Sequence, residues 1–181
     1  MSSSPATLGE QLCLACGLCC DGTLFGHVRL GGSDDAKRLK ALDLPLLVSR
    51  TRPPVIRFRQ PCAALCSDLR CRVYADRPAQ CRAFECRVYQ AVRDGQLDVT
   101  AARARVKRAR RRADKVRLLL RALGDTNEHC SLDERFRNAQ QRLESGQFDA
   151  SDGEHFAELT QAMHAWHLLA HDVFHTHPPE R

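Results

Sequence analysis

The first ten residues of this 181-residue chain, MSSSPATLGE, contain neither a basic segment nor an apolar one. That composition excludes an export signal of the usual kind and leads to the expectation of a cytoplasmic protein. Long apolar runs are missing too. The longest aliphatic stretches, such as Leu118-Leu119-Leu120, fall far short of the roughly 20 residues a membrane-spanning helix needs, so no membrane partner is expected. The sequence also holds no G-x-S-x-G elbow, no Walker loop, no H-E-x-x-H and no G-x-G-x-x-G. The common hydrolytic, nucleotide-binding and zinc-protease classes are therefore unsupported, no catalytic residue is assigned, and whether the chain is an enzyme stays open. Acidic residues are nearly absent from one segment. Residues 101 to 121 hold ten Lys or Arg and the single acid Asp114, whereas residues 122 to 181 hold eleven acids and four arginines.

Cysteine, by contrast, is abundant. Nine of the ten cysteines lie between Cys13 and Cys86, and Cys130 stands alone beyond them. In a reducing compartment structural disulfides are rare, and clustered thiols more often hold metal. A chain of this length can bury an ordinary core, so size alone demands no covalent staple. The cysteines divide the chain into an expected metal-binding domain at residues 8 to 94 and a helical extension at 95 to 181. The boundary falls at Asp94-Gly95, a helix stop and turn.

Local patterns fill in this outline. "HVRL" at 27 to 30 and "VIRFR" at 55 to 59 alternate as short strands, with Pro53-Pro54 before the second, and Ser33-Asp34 can cap a short helix through Leu42. Asp76 ahead of Arg77-Pro78 predicts a helix carrying Cys81, Phe84, Val88 and Val92 and ending at Gly95. Beyond it, Val106, Ala109, Ala113, Val116, Leu120 and Leu123 are spaced 3, 4, 3, 4, 3, the seam of a packed helix. Ser131 with Glu134 and Ser151 with Glu154 each fit a capping box, predicting two more helices, the first closed by Gly146. The expected fold is mainly α with small irregular β elements, a cysteine-rich, metal-organised amino-terminal domain being followed by about three helices.

"CLACGLCC", residues 13 to 20, is the densest motif. Cys13-x-x-Cys16 is the spacing with which a tight loop brings two thiolates to one metal, Gly17 supplies backbone freedom, and Cys19 repeats the step. Further ligands must come from Cys62, Cys66, Cys71, Cys81 and Cys86. A metal joining the two groups would close the 41-residue stretch between Cys20 and Cys62. Its binding would then be part of the folding free energy, on the order of 10 kcal/mol for tight structural zinc. Successive side chains of extended backbone diverge, so Cys19 and Cys20 suit two different centres, or two corners of a cluster, better than one tetrahedral ion. Two four-cysteine centres are one solution. One cluster with the other thiols packed behind it is the alternative. Cys66 and Cys130 also fit the bland role of small buried hydrophobes.

The residues "CLACGLCC", "PCAAL" and "CRVYADRPAQCRAF" resemble the CxxCxxCC, or YkgJ-like, family of zinc- or iron-chelating cysteine-cluster proteins over residues 10 to 92. The resemblance implies metal ligation by Cys13, Cys16, Cys19, Cys20, Cys62, Cys71 and Cys81, with Cys86 following the last motif closely and Cys66 extra to the pattern. Tyr74, Arg77, Pro78, Arg82 and Phe84 are then framework. All-thiolate ligation suits an iron–sulfur cluster and Zn2+ alike, so both stand as cofactors, in one centre or two. The expected role is redox, metal handling or assembly, with an unidentified protein, metal or redox partner.

Two other features compete for attention. The basic segment "RARVKRARRRADKVR" suggests a nucleic-acid-associated module in which zinc is a structural staple and the helix is the working surface. It contains no aromatic residue for base stacking, and its charges also suit a solvated face paired with the acidic segment after it. His164, His167, His171 and His175 are spaced 3, 4 and 4 along one helix and could share a metal. Met163, Trp166, Ala170 and Val173 form the adjacent core stripe, which puts the histidines on the flank of a packed helix.

Overall fold

The structure is a computed structural model that describes residues 8 to 175. It contains helices α1 (Leu8–Cys16), α2 (Ala36–Ala41), α3 (Ala79–Ala83), α4 (Arg87–Arg93), α5 (Val99–Ala122), α6 (Leu132–Glu144) and α7 (Ala150–Val173). Strands β1 (His27–Arg29), β2 (Leu47–Val48) and β3 (Ile56–Arg59) form one antiparallel sheet in the order β1-β3-β2. The fold is mainly α with small β elements, as expected. No helix is long and apolar enough to cross a membrane among the described residues.

Two hydrophobic cores organise these elements. The larger one joins the seam of α5 to α6 and α7, with Trp166, Met163 and Leu159 almost fully enclosed, and draws in Leu12 and Leu18 from the amino-terminal region and Val88 and Val92 from α4. All six seam residues expected from the 3-4 spacing are buried, together with Ala102 and Leu119. The smaller core lies under the sheet. Register places Val28 opposite Phe58, both facing inward onto Leu39 of α2, Leu44, Ala64 and Val73.

Several helix ends follow the expected chemistry and others depart from it. Ser131 caps α6 by accepting from the Glu134 amide at 3.4 Å, and Gly146 closes that helix at φ +69°. Helix α2 is capped one residue later than expected, by Asp35. Helix α7 starts at Ala150, before Ser151, because Asp149 accepts from the Asp152 amide at 3.1 Å while the Asp149 amide donates to the Asp152 carboxylate at 3.2 Å. The expected tight loop at Cys13 to Cys16 is instead the last turn of α1, which Gly17 ends at φ +69°.

The single helix expected between Arg77 and Gly95 is two helices. Asp76 sits in a short 3-10 turn, Tyr74–Asp76, rather than at a cap, and the chain becomes extended at Phe84 before Cys86 restarts a helix. The missing cap of α3 is supplied from 45 residues away: the Ala79 amide donates to Asp34 Oδ1 at 2.7 Å, while the Gly31 amide donates to Asp34 Oδ2 at 2.7 Å. One carboxylate therefore fixes the loop after β1 to the start of the helix that carries Cys81.

Candidate metal centre

Five pieces of backbone carry the eight cysteines of interest. Cys13 and Cys16, three residues apart on α1, share one side of the helix. A turn follows in which the Cys20 and Asp21 amides both donate to the Gly17 carbonyl, at 2.8 and 2.9 Å. A side chain at Gly17 would meet Leu69 at 3.2 Å in a left-handed backbone, so this turn is specific to glycine. The Cys62 amide donates to the Cys20 carbonyl at 2.7 Å, joining the first cysteine run to the second, and an isolated bridge between Leu65 and Cys71 folds residues 62 to 72 back on themselves. Cys81 rides on α3, and Cys86 caps α4, its sulfur accepting from the Tyr89 amide at 3.4 Å.

All eight side chains, Cys13, Cys16, Cys19, Cys20, Cys62, Cys71, Cys81 and Cys86, line one cavity of about 150 Å3. A dry cavity of that size holds a guest as large as benzene, so it has room for more than a single ion. Cys66 and Cys130 do not line it. Cys130 is buried at the entry to α6, in the packing role considered for it. Among the described residues no three His, Cys, Asp or Glu side chains already stand at the spacing of a coordination shell. The thiols are gathered rather than converged.

Electrostatics show which thiols lie close to one another. Burial is the main effect on every one of the seven shifted thiols, and the cysteines that repel one another's charge then differ. The Cys16 thiol is pushed up to about 12 by burial, with further upward pressure from Cys86 and Cys13. Cys19 is pushed well up by burial, then by Cys16, Cys13 and Cys86, and least by its neighbour Cys20. The thiol of Cys20 is raised by burial, then by Cys62, Cys81 and Cys71, and least by Cys13. Cys81 reaches about 12 by burial and then through Cys62 and Cys71. Cys16, Cys19 and Cys86 thus lie together and Cys20, Cys62, Cys71 and Cys81 lie together, while Cys13 acts on both groups and shares α1 with Cys16.

The two sets rest on different cores. Cys16 and Cys86 pack against the helical core, whereas Cys62, Cys71 and Cys81 pack against the core under the sheet. Cys19 and Cys20 lie at the join, in the turn that the Gly17 carbonyl closes. The break between α3 and α4 separates Cys81 from Cys86, which one continuous helix would have carried on a single rod.

The donor chemistry fits a thiophilic metal. Backbone amides at Leu18, Ala64, Val73 and Tyr89 favour the thiolates of Cys16, Cys62, Cys71 and Cys86, acting against burial. Arginines stand by as well. Arg110 lies near Cys16 and donates to its carbonyl at 2.6 Å, Arg72 favours the thiolates of Cys62 and Cys71, and Arg77 those of Cys71 and Cys81. Arg77 is itself held, its guanidinium 3.5 Å over the Tyr74 ring and donating to the Tyr74 carbonyl at 3.0 Å. Gln60 is the residue sequence reasoning missed. It is 2% exposed, lines the same cavity, and leaves its side-chain oxygen without a hydrogen-bond partner. An amide oxygen accepts a hydrogen bond or contacts a cation, so Gln60 adds one oxygen acceptor to the wall of thiols. No spacing rule would single out one glutamine after a strand.

The histidine stripe lies elsewhere. His164, His167, His171 and His175 are exposed beside the buried Met163, Trp166, Ala170 and Val173, on the flank expected of them. His167 Nε2 pairs with Asp133 at 2.9 Å, and His171 and His175 stack with ring centroids 6.4 Å apart.

Comparison with known protein families gives a match over most of the chain. The family model CxxCxxCC, described as "Putative zinc- or iron-chelating domain", matches residues 12 to 130, reaching through α5 and beyond the stretch that carries the motif resemblance. No curated protein and no solved structure matches the chain.

Proposed function

The chain belongs to the CxxCxxCC family of zinc- or iron-chelating domains, and on that footing we propose that it binds two metal centres through eight thiolates. Cys13, Cys16, Cys19 and Cys86 would hold the first, and Cys20, Cys62, Cys71 and Cys81 the second. The observation that carries this reading is that Cys16 and Cys86 pack against the helical core while Cys62, Cys71 and Cys81 pack against the core under the sheet. Bound zinc would brace the fold, and bound iron–sulfur clusters would also carry single electrons.

The residues around the thiols perform definable tasks in either case. Eight thiolates against two divalent ions leave four net negative charges, which a buried site tolerates only with compensation nearby. Arg72, Arg77 and Arg110, with the backbone amides aimed at the sulfurs, supply it. Cys13 is exposed while the other seven are half-buried, so the first centre is the one that faces solvent and an exchanging partner. That asymmetry supports a redox or metal-handling role for the first centre and a bracing role for the second.

The decisive experiment is anaerobic purification followed by iron, zinc and acid-labile sulfide analysis with a visible spectrum. Two four-thiolate centres predict two zinc ions per chain without sulfide, or sulfide in proportion to iron with a visible band that bleaches on reduction. Half of the bound metal should be lost in Cys13→Ser/Cys16→Ser, and the other half in Cys62→Ser/Cys71→Ser. Loss of all metal in both variants would identify one joint centre, and a chain that retains neither metal would overturn the proposal.

A further inference from the structure

The acidic segment after residue 122 neutralises only part of α5. Lys115 pairs with Glu158 at 2.9 Å and Arg121 with Glu128 at 2.6 Å, while Arg110 and Arg117 turn to Asp21 at 4.0 and 3.3 Å. All of these cations lie at residue 110 or beyond. Among the described residues, Arg103, Arg105, Lys107, Arg108, Arg111 and Arg112 are exposed and stand in no ion pair. They cover the helix surface opposite Ala102, Val106, Ala109 and Ala113, which are buried. Arg103, Lys107 and Arg111 repeat at every fourth residue, as do Arg108 and Arg112, so like charges face one another along the helix, an arrangement that destabilises it. Core packing requires the buried seam, but it does not require six cations on the other side.

From this we propose that the amino-terminal half of α5 is a docking surface for the phosphate backbone of double-stranded nucleic acid. Nine residues separate Arg103 from Arg112, about 14 Å of helix at 1.5 Å per residue. A duplex presents about eight phosphate charges over that length, one per 1.7 Å, so six cations match its density. Five of the six are arginines, whose forked donors suit phosphate oxygens. No aromatic residue lies in α5, which argues against single strands held by base stacking. The seam of the same half packs toward the first cysteine set: Val106 lines the thiol cavity, and Arg110 holds the Cys16 carbonyl. Nucleic acid on the outer face and metal on the inner face would share one helix. The inference goes beyond the metal reading and does not depend on which metal is bound.

The test is fluorescence anisotropy of the full-length, metal-loaded chain with labelled duplex RNA, duplex DNA and a single strand of equal length, titrated with salt. Binding to a duplex should weaken on the order of a thousandfold between 50 and 200 mM salt, the slope expected for about six phosphates. Arg103→Gln/Lys107→Gln/Arg111→Gln should weaken binding and reduce the salt slope by about one unit per residue, whereas Lys115→Gln/Arg121→Gln, which removes paired cations, should leave the slope in place. A cooperative thermal melt and unchanged metal content in both variants would show that the fold is intact. Preference between the RNA and DNA duplexes names the physiological source within the proposal. No duplex binding at 50 mM salt, equal binding by the first triple variant, or tighter binding to the single strand, to polyglutamate or to anionic vesicles would overturn it.

Discussion

The helical and sheet-bearing regions solve the same problem with unequal means. The first cysteine set is placed by α1, the turn after it and the cap of α4 against a core of twenty buried residues, including Trp166 and Phe174. The second is placed by loops and the five-residue α3 against a core of six. Helices braced by a large core hold a thiol in position without assistance from a ligand. Loops over a small core are held only by their own hydrogen bonds and by whatever the thiols bind. Two similar donor sets thus sit on supports of different stiffness, and metal should matter to them in different degrees.

Removal of metal should expose this contrast most strongly. Binding free energy in thiolate sites is on the order of 10 kcal/mol, and it is counted as folding free energy wherever the site is not preformed. With chelator, hydrogen exchange should accelerate in β1, β3 and residues 60 to 74 while the buried seam of α5 and the middle of α7 stay protected. Uniform loss of protection across both regions would show that the two cores unfold as one unit. Protection of the sheet after α5 has opened would invert the assignment of stiffness.

Truncation of one large side chain in each core makes the same comparison on a smaller scale. Phe58→Ala and Trp166→Ala should each cost about 3 to 5 kcal/mol, since both rings are almost fully buried. The consequences should separate. Phe58 packs with Cys62, Cys71 and Cys81, so its loss should weaken the second centre, seen as a fall in metal retained under a competing chelator. Trp166→Ala should lower the melting temperature at unchanged metal stoichiometry.

Much of this organisation could be read from residue types, and the parts that could not have a common cause. The α5 seam, the Ser131 cap and the two longer strands follow from patterns within a few residues, which is the range over which periodicity and capping act. The eight cavity-lining cysteines were identifiable from motif and resemblance. Their partition was not identifiable, because it depends on which core each loop meets. The break between α3 and α4 also escaped the reading: Phe84 continues an apolar period, yet its ring turns aside to meet Phe25 edge-on at 4.8 Å. Asp34 and Gln60 act across gaps in sequence that no local pattern spans.

The pH dependence should reverse sign between the metal-free and metal-loaded chains. Without metal the folded state keeps protons on Cys16 and Cys81 to about 12, above the ordinary thiol value near 9, because burial penalises their ionised forms. The folded chain then binds more protons than the unfolded one between those values, so stability is full below pH 9 and falls as pH rises toward 12. Metal requires the thiolate forms, so the loaded chain should hold its stability into that range and lose metal as pH falls. Thermal melts from pH 5 to 11, with and without chelator, would check both slopes. A metal-free chain that melts at the same temperature at pH 8 and pH 11 would show that the thiols ionise freely.

The smallest effect in this series falls on a single carboxylate. Asp34 accepts the Ala79 amide at the start of α3, and its side chain is only 2% exposed. Removing a helix cap costs about 0.5 to 2 kcal/mol. The neighbouring Arg82, at 3.8 Å, also loses its partner. Asp34→Ala should therefore lower global stability modestly, within that range, in a denaturant titration. Its local effect should be more specific, because α3 is the one helix that carries a member of the second cysteine set and its own start has no side-chain cap within it. Metal at the second centre should become easier to remove while the first centre, on α1 and α4, is unaffected. Asp34→Asn keeps an oxygen able to accept from the Ala79 amide and should restore most of the loss. Equal weakening of both centres by Asp34→Ala would mean that the sheet-side set is not supported separately, and the contrast between the two regions would then rest on core size alone.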